Sequence, residues 1–116
     1  MADIFTYNPS TDIGKVRMQI GDRNQDEYIF SDAEIQSFLD MNEDSILYAV
    51  ADALETIATN DAMLKKRIRL NDLSDDRAAI AAELRLLARQ KRELAERSGS
   101  GNQSFNLPKS ISEDYV

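Results

Sequence analysis

Apolar residues along this chain recur three and four positions apart, the period of helices that each bury one face. Ile13, Val16 and Ile20 follow the turn-and-cap stretch Asn8-Pro9-Ser10-Thr11 and stop at Gly21, which predicts a short first helix. Residues 22 to 30 read as a polar loop that ends in Tyr28, Ile29 and Phe30. Ser31-Asp32-Ala33-Glu34 then has the form of a capping box: the serine oxygen accepts from the Glu34 amide, the glutamate reaches back, and Phe30 is placed to staple the entry. A second helix carries Ile35, Phe38 and Leu39 on one face and ends near Met41-Asn42.

Leu47, Val50, Leu54, Ile57 and Leu64 predict a third helix from Glu43 or Asp44 to about Leu64, ~30 Å long at 1.5 Å per residue, with Asp61 interrupting the row. Lys65 to Leu73 breaks the pattern and reads as a connection. Ser74, Asp75 and Asp76 restart it, because a serine cap and first-turn acids satisfy free amides and the helix dipole. A fourth helix over about 75 to 97 carries the stripe Ile80, Leu84, Leu87 and Leu94, with Lys91 as its polar interruption. The fold class expected is all-α, a small bundle of about four helices built on a long antiparallel helix hairpin. Residues 1–97 form the helical domain in this reading. Ser98-Gly99-Ser100-Gly101 has the composition of a linker, and residues 98–116 form an extended tail in which Pro108 blocks a helix. The tail keeps Phe105, Leu107, Ile111 and Tyr115, which suits a segment that orders on docking and is also compatible with an ordinary loose terminus.

At 116 residues the chain suits one domain, and 42% hydrophobic with 30% charged residues is enough to fold it. The absence of Cys, His and Trp removes thiol chemistry, disulfides, imidazole acid–base work and Cys/His zinc sites. A hydroxyl nucleophile would need a Gly-x-Ser-x-Gly or Ser-x-x-Lys element, and neither occurs; the four glycines form no phosphate-cradling loop. The expectation is a protein that is not an enzyme and takes no cofactor. No run approaches ~18 apolar residues, so neither a membrane span nor an export signal is expected, and the lack of Cys fits a reducing cytosol.

Fourteen bases against 21 acids disfavour an independent nucleic-acid binder. The charge is also uneven: residues 1 to 60 hold three bases against twelve acids, and residues 61 to 97 hold ten bases against seven. Either these charges are solvated on their own faces, or opposite flanks favour head-to-tail stacking of identical subunits. Lys65-Lys66-Arg67-x-Arg69 can meet phosphate or the acidic flank of a neighbouring subunit. Asp22-x-Asn24-x-Asp26 looks like the start of a calcium loop, but Glu27 stands where the turning glycine belongs and Ala33 where the bidentate glutamate belongs, which leaves a solvated loop. Asp52 and Glu55 fall on an outer helix face in this reading.

The order of these pieces resembles the small head-tail connector (adaptor, or head-completion) proteins of tailed bacteriophages. Asp12-x-x-x-Val16-Arg17-x-x-Ile20-Gly21-Asp22, then Phe30-Ser31-Asp32-x-Glu34-Ile35-x-x-Phe38-Leu39, then the alanine-rich Ala49 to Ala58 helix, then Asp72-Leu73-Ser74 before a long last helix carry the likeness over residues 11 to 97. The resemblance implies a helical virion protein at the neck, present in the host cytoplasm during assembly. It would bind beneath the portal protein, present a platform to the next neck or tail component, and form a ring, commonly of 12 copies, around the channel through which DNA leaves without sequence-specific contact. Phe105, Leu107, Ile111 and Tyr115 would then dock on the portal or a neighbour, and Lys65, Lys66, Arg67 and Arg69 would lie at a subunit or neck interface. The alternative is a small helical DNA-binding or regulatory module, with the second and third helices as a helix-turn-helix and the basic run on phosphate.

Overall fold

Side-chain caps start the first three helices of the computed structural model, which describes residues 4–70 and 76–98. Thr11 accepts from the Gly14 amide at the head of α1 (Asp12–Ile20), Ser31 from the Glu34 amide at the head of α2 (Asp32–Met41), and Ser45 from the Tyr48 amide at the head of α3 (Ile46–Thr59). The Ser31 amide donates in turn to the Glu34 carboxylate, so the capping box is complete. Phe30 is buried and meets Phe38 edge to face, 5.2 Å between centroids. Helices α4 (Asp61–Leu70) and α5 (Arg77–Ser98) complete the order, and the described residues contain no strand. The fold of the described residues is all-helical.

Two glycines are demanded by geometry. Gly21 ends α1 at φ 76°, a left-handed conformation that side chains disfavour. Gly14 lies so close to the turn before α1 that an added Cβ would sit 1.7 Å from the Asn8 carbonyl oxygen.

The expected third helix differs at both of its ends. It cannot begin at Glu43 or Asp44, because both adopt positive φ (55° and 64°) and turn the chain between α2 and α3. It also does not run on to Leu64. Asn60 is extended and serves both sides of the break: its amide donates to the Thr56 and Ile57 carbonyls, and its side-chain oxygen accepts from the Met63 amide. Residues 61 to 70 then form α4, so the Lys65–Arg69 run lies on a helix instead of in a connection. An asparagine that satisfies both free ends can interrupt an apolar row without disturbing its spacing.

The core gathers on α3, which packs against α1, α2, α4 and α5. Ala49, Val50, Ala51, Ala53, Leu54, Ile57 and Ala58 are all buried, so this helix has inward-facing residues on nearly every side. Against it α5 turns Ala81, Leu84, Ala88 and Ala95. The predicted stripe is thus rotated: Leu84 holds, Ile80 is half-buried, and Leu87 and Leu94 remain 39% and 40% exposed. Small side chains allow two helices to approach closely, and a pattern weighted by side-chain size overlooks them. Residues in the middle of α3 meet the far end of α5, with Asp52 and Glu55 on Arg92, while Asp61 meets Arg77. Ser74 and Asp75, expected to cap this helix, lie outside the described residues; Asp76 accepts from the Ala79 amide.

The phase of α5 is testable by chemical denaturation. Ala88→Leu should overpack the α3–α5 seam and lower stability by ~1–3 kcal/mol. Leu87→Ala should cost well below the ~2–5 kcal/mol of a buried leucine. The reverse ranking would restore the leucine stripe as the seam.

Candidate functional site

Arg17 sits on the apolar face of α1, between Ile13 and Ile20, and is completely buried. Burying a cation is costly unless its donors are met. Here Nε donates to the Thr6 carbonyl at 2.9 Å, one terminal nitrogen bonds Asp22 Oδ2 at 3.1 Å, and the other bonds Asp32 Oδ1 at 2.9 Å. The guanidinium also lies over the Phe5 ring, 4.0 Å from its centroid. Asp22 is as buried as its partner and accepts from the Ile29 and Phe30 amides, while Asp32 accepts from the Thr6 amide and hydroxyl. One side chain therefore binds residues 4–6, the loop after α1 and the head of α2 into a single knot. Burial pushes the Asp32 carboxyl upward, but the bonds from Arg17 and Thr6 outweigh it and hold the group below its ordinary value.

The basic run of α4 closes over the outside of that loop. Lys66 donates to the Tyr28 carbonyl, Arg67 donates to the Ile20 carbonyl at the end of α1, and Arg69 pairs with Glu27 at 2.7 Å. Lys65 pairs with Asp61 one turn back. Lys66 also approaches the Tyr28 ring, which stacks on Phe5, so the clamp and the knot share an aromatic layer. Of the four cations expected at an interface, Lys66 and Arg67 are half-buried, and Lys65 and Arg69 project outward with side chains 58% and 62% exposed. Burial lowers Arg67 from its ordinary value and the nearby Asp22 charge acts against that.

A second polar tie joins α3 to α5. Arg92 bonds Asp52 at 2.8 Å and Glu55 at 2.7 Å, and Asn42 donates to both Asp52 and the Phe38 carbonyl. Asp52 and Glu55 are therefore half-buried across from α5, and their placement on an outer face is corrected. The bond from Arg92 holds Glu55 below its ordinary value, and the same bond raises Arg92.

The Asp22-x-Asn24-x-Asp26 pattern is likewise not a wrapped loop: Asp22 points inward to Arg17, and Asn24 accepts from the Asp26 amide. Among the described residues no group of three or more carboxylates is placed to hold a metal ion, and no helix is long and apolar enough to cross a membrane. The tail residues Phe105, Leu107, Ile111 and Tyr115 lie outside the described residues. The reading of the sequence missed the Arg17–Asp22–Asp32 knot and the Arg92 tie. Only the first left a signal, a lone arginine on an apolar helical face.

Comparison with known proteins adds no identification: no family model, no curated protein and no solved structure matches the chain.

Two predictions follow from the knot's electrostatics. Asp22→Ala leaves the buried Arg17 cation with one carboxylate fewer and strands two amides, so denaturation should show a loss of ~3–5 kcal/mol. Asp32 binds its proton more weakly folded than unfolded, so its contribution is present above its ordinary value of ~4 and is lost as pH falls through the lower folded value. Asp32→Asn should therefore be less stable than the parent at neutral pH, with the gap closing in acid; a constant gap would remove the charge from the explanation.

Proposed function

We propose that the chain is a structural adaptor of a tailed bacteriophage, a non-enzymatic virion protein that joins the portal to the next neck or tail component. The observation that carries this reading is where the connector-like residues meet. Val16, Arg17, Ile20, Gly21, Asp22, Phe30, Ser31, Asp32, Glu34, Ile35 and Leu39 belong to one unit, the Arg17 knot with the helix ends and core positions around it. Ordinary helix grammar has no need of that convergence.

The surface supports the same reading. Asp12, Asp26, Glu34, Asp40, Glu43 and Asp44 are exposed on the first half of the chain beside Lys15 and Arg23, whereas α5 exposes Arg77, Arg85, Arg89 and Arg97 together with Glu83, Glu93 and Glu96. A predominantly acidic first half and a charge-mixed α5 on one body leave room for head-to-tail contact between copies in a ring. The antiparallel α3–α5 pair forms the body of that subunit, with Lys65 and Arg69 able to exchange their intramolecular partners for a neighbour's acids. Acidic walls that do not grip phosphate let DNA slide through the ring. Phe105, Leu107, Ile111 and Tyr115 supply the contact with the portal or an adjacent copy. The helix-turn-helix alternative is weaker, because α3 is enclosed by four other helices and has no free face to lay in a DNA groove.

Co-sedimentation with portal-containing capsids tests the proposal. The full chain should pellet with them, and deletion of residues 102 to 116 should reduce the bound fraction while the body keeps its helical content and still unfolds cooperatively. Purified virions that lack this polypeptide at the neck would overturn the adaptor reading.

A further inference from the structure

A groove of about 570 Å³ opens where the end of α5 passes the turn between α2 and α3. Met41, Leu47, Tyr48 and Ala95 supply its apolar surface, and Glu43 and Ser98 are among its polar groups. Asn42 and Ser45 complete the polar set, so the open groove is lined half by apolar and half by polar residues, and its volume lies within the range of small-ligand sites. Met41 is 67% exposed, the largest value among the exposed apolar side chains of the described residues. The turn that shapes this side of the groove is held by two consecutive non-glycine residues in left-handed conformation, Glu43 and Asp44. Such backbone persists only where its surroundings hold it in place.

We infer that this groove seats Phe105 and Leu107 of the chain's own C-terminal segment. The α5 helix ends at Ser98, which itself lines the groove, so the chain that follows starts at the mouth. Six residues lie between Ser98 and Phe105, so seven Cα steps give a reach of up to ~24 Å when extended, which is ample for doubling back. Gly99 and Gly101 supply the backbone freedom such a reversal needs. Phe105 and Leu107 stand two apart, so an extended strand presents both to one side, and Pro108 prevents a helix from separating them. Lys109 is the only cation after Arg97 and follows this pair in sequence, and the groove offers it an exposed acid, Glu43. A tether this short gives the segment a local concentration of ~mM, ahead of a second copy at ordinary protein concentrations. The inference does not rest on the adaptor reading; within it, a portal or neighbouring subunit would compete with the groove for the same side chains.

The chain has no Trp, so Phe105→Trp provides a single fluorescent reporter in the full-length protein. Its emission should be blue-shifted, several-fold protected from acrylamide, and unchanged on dilution. Adding Met41→Lys, at an exposed position, should return the emission to that of solvated indole with helicity unchanged, and adding Met41→Leu should not. Leu107→Trp serves as an independent reporter of the same seat. Solvent-like emission from both reporters, or insensitivity to Met41→Lys, would overturn the inference. A blue shift that disappears on dilution would also overturn it, by assigning the groove to a second copy. All these readouts use the free protein, so they are independent of whether it binds capsids.

Discussion

A guanidinium removed from water is the constraint around which the first half of this molecule is built. Arg17 can be buried at tolerable cost only if its planar set of donors finds acceptors in fixed directions, and those acceptors come from three separate stretches: the Thr6 carbonyl, Asp22 and Asp32. Neither carboxylate is free to move. Asp22 is held by the Ile29 and Phe30 amides and Asp32 by Thr6, so the cation fixes the loop and the loop fixes the cation. Exchanging such a group for an apolar one need not reduce stability, but a single cation with several directed partners selects one arrangement of the segments over near alternatives.

The uneven charge of the sequence is partly resolved inside the fold. Lys66, Arg67 and Arg69 of α4 reach back to Tyr28, Ile20 and Glu27, at the end of α1 and on the loop after it, and Arg92 of α5 reaches Asp52 and Glu55. Basic second half and acidic first half are thus joined by contacts within one chain. The run Lys65 to Arg69 is divided by this arrangement, with two members turned to the chain's own carbonyls and two projecting outward.

How much of this was legible depended on the range of the interaction. Caps are local, and Thr11, Ser31 with Glu34, and Gly21 could be placed from residues within one helical turn. The all-helical class followed from apolar spacing. The break at Asn60 was hidden because an extended asparagine can replace both helix ends while the row of Leu54, Ile57 and Leu64 continues in register. The phase of α5 was misread because leucines dominate a hydrophobic pattern while alanines make the contact. Arg17 with Asp32 and Arg92 with Asp52 lie fifteen and forty residues apart in sequence, and nothing near either arginine indicates which distant carboxylate it will meet.

The alanine seam has a further physical consequence. Replacing leucine by alanine in a contact removes apolar area worth ~0.8 kcal/mol per methylene, so the α3–α5 junction gains close approach at the expense of hydrophobic stabilisation. The directed tie of Arg92 to two carboxylates stands beside that thin seam and sets its register. Meanwhile Leu86, Leu87 and Leu94 remain exposed on the same helix. Single exposed leucines are tolerated by a monomer in water and still yield free energy when another surface covers them. A helix that turns mostly alanines inward and leaves three leucines outside therefore gains apolar burial whenever another surface covers it, as the proposed adaptor role requires.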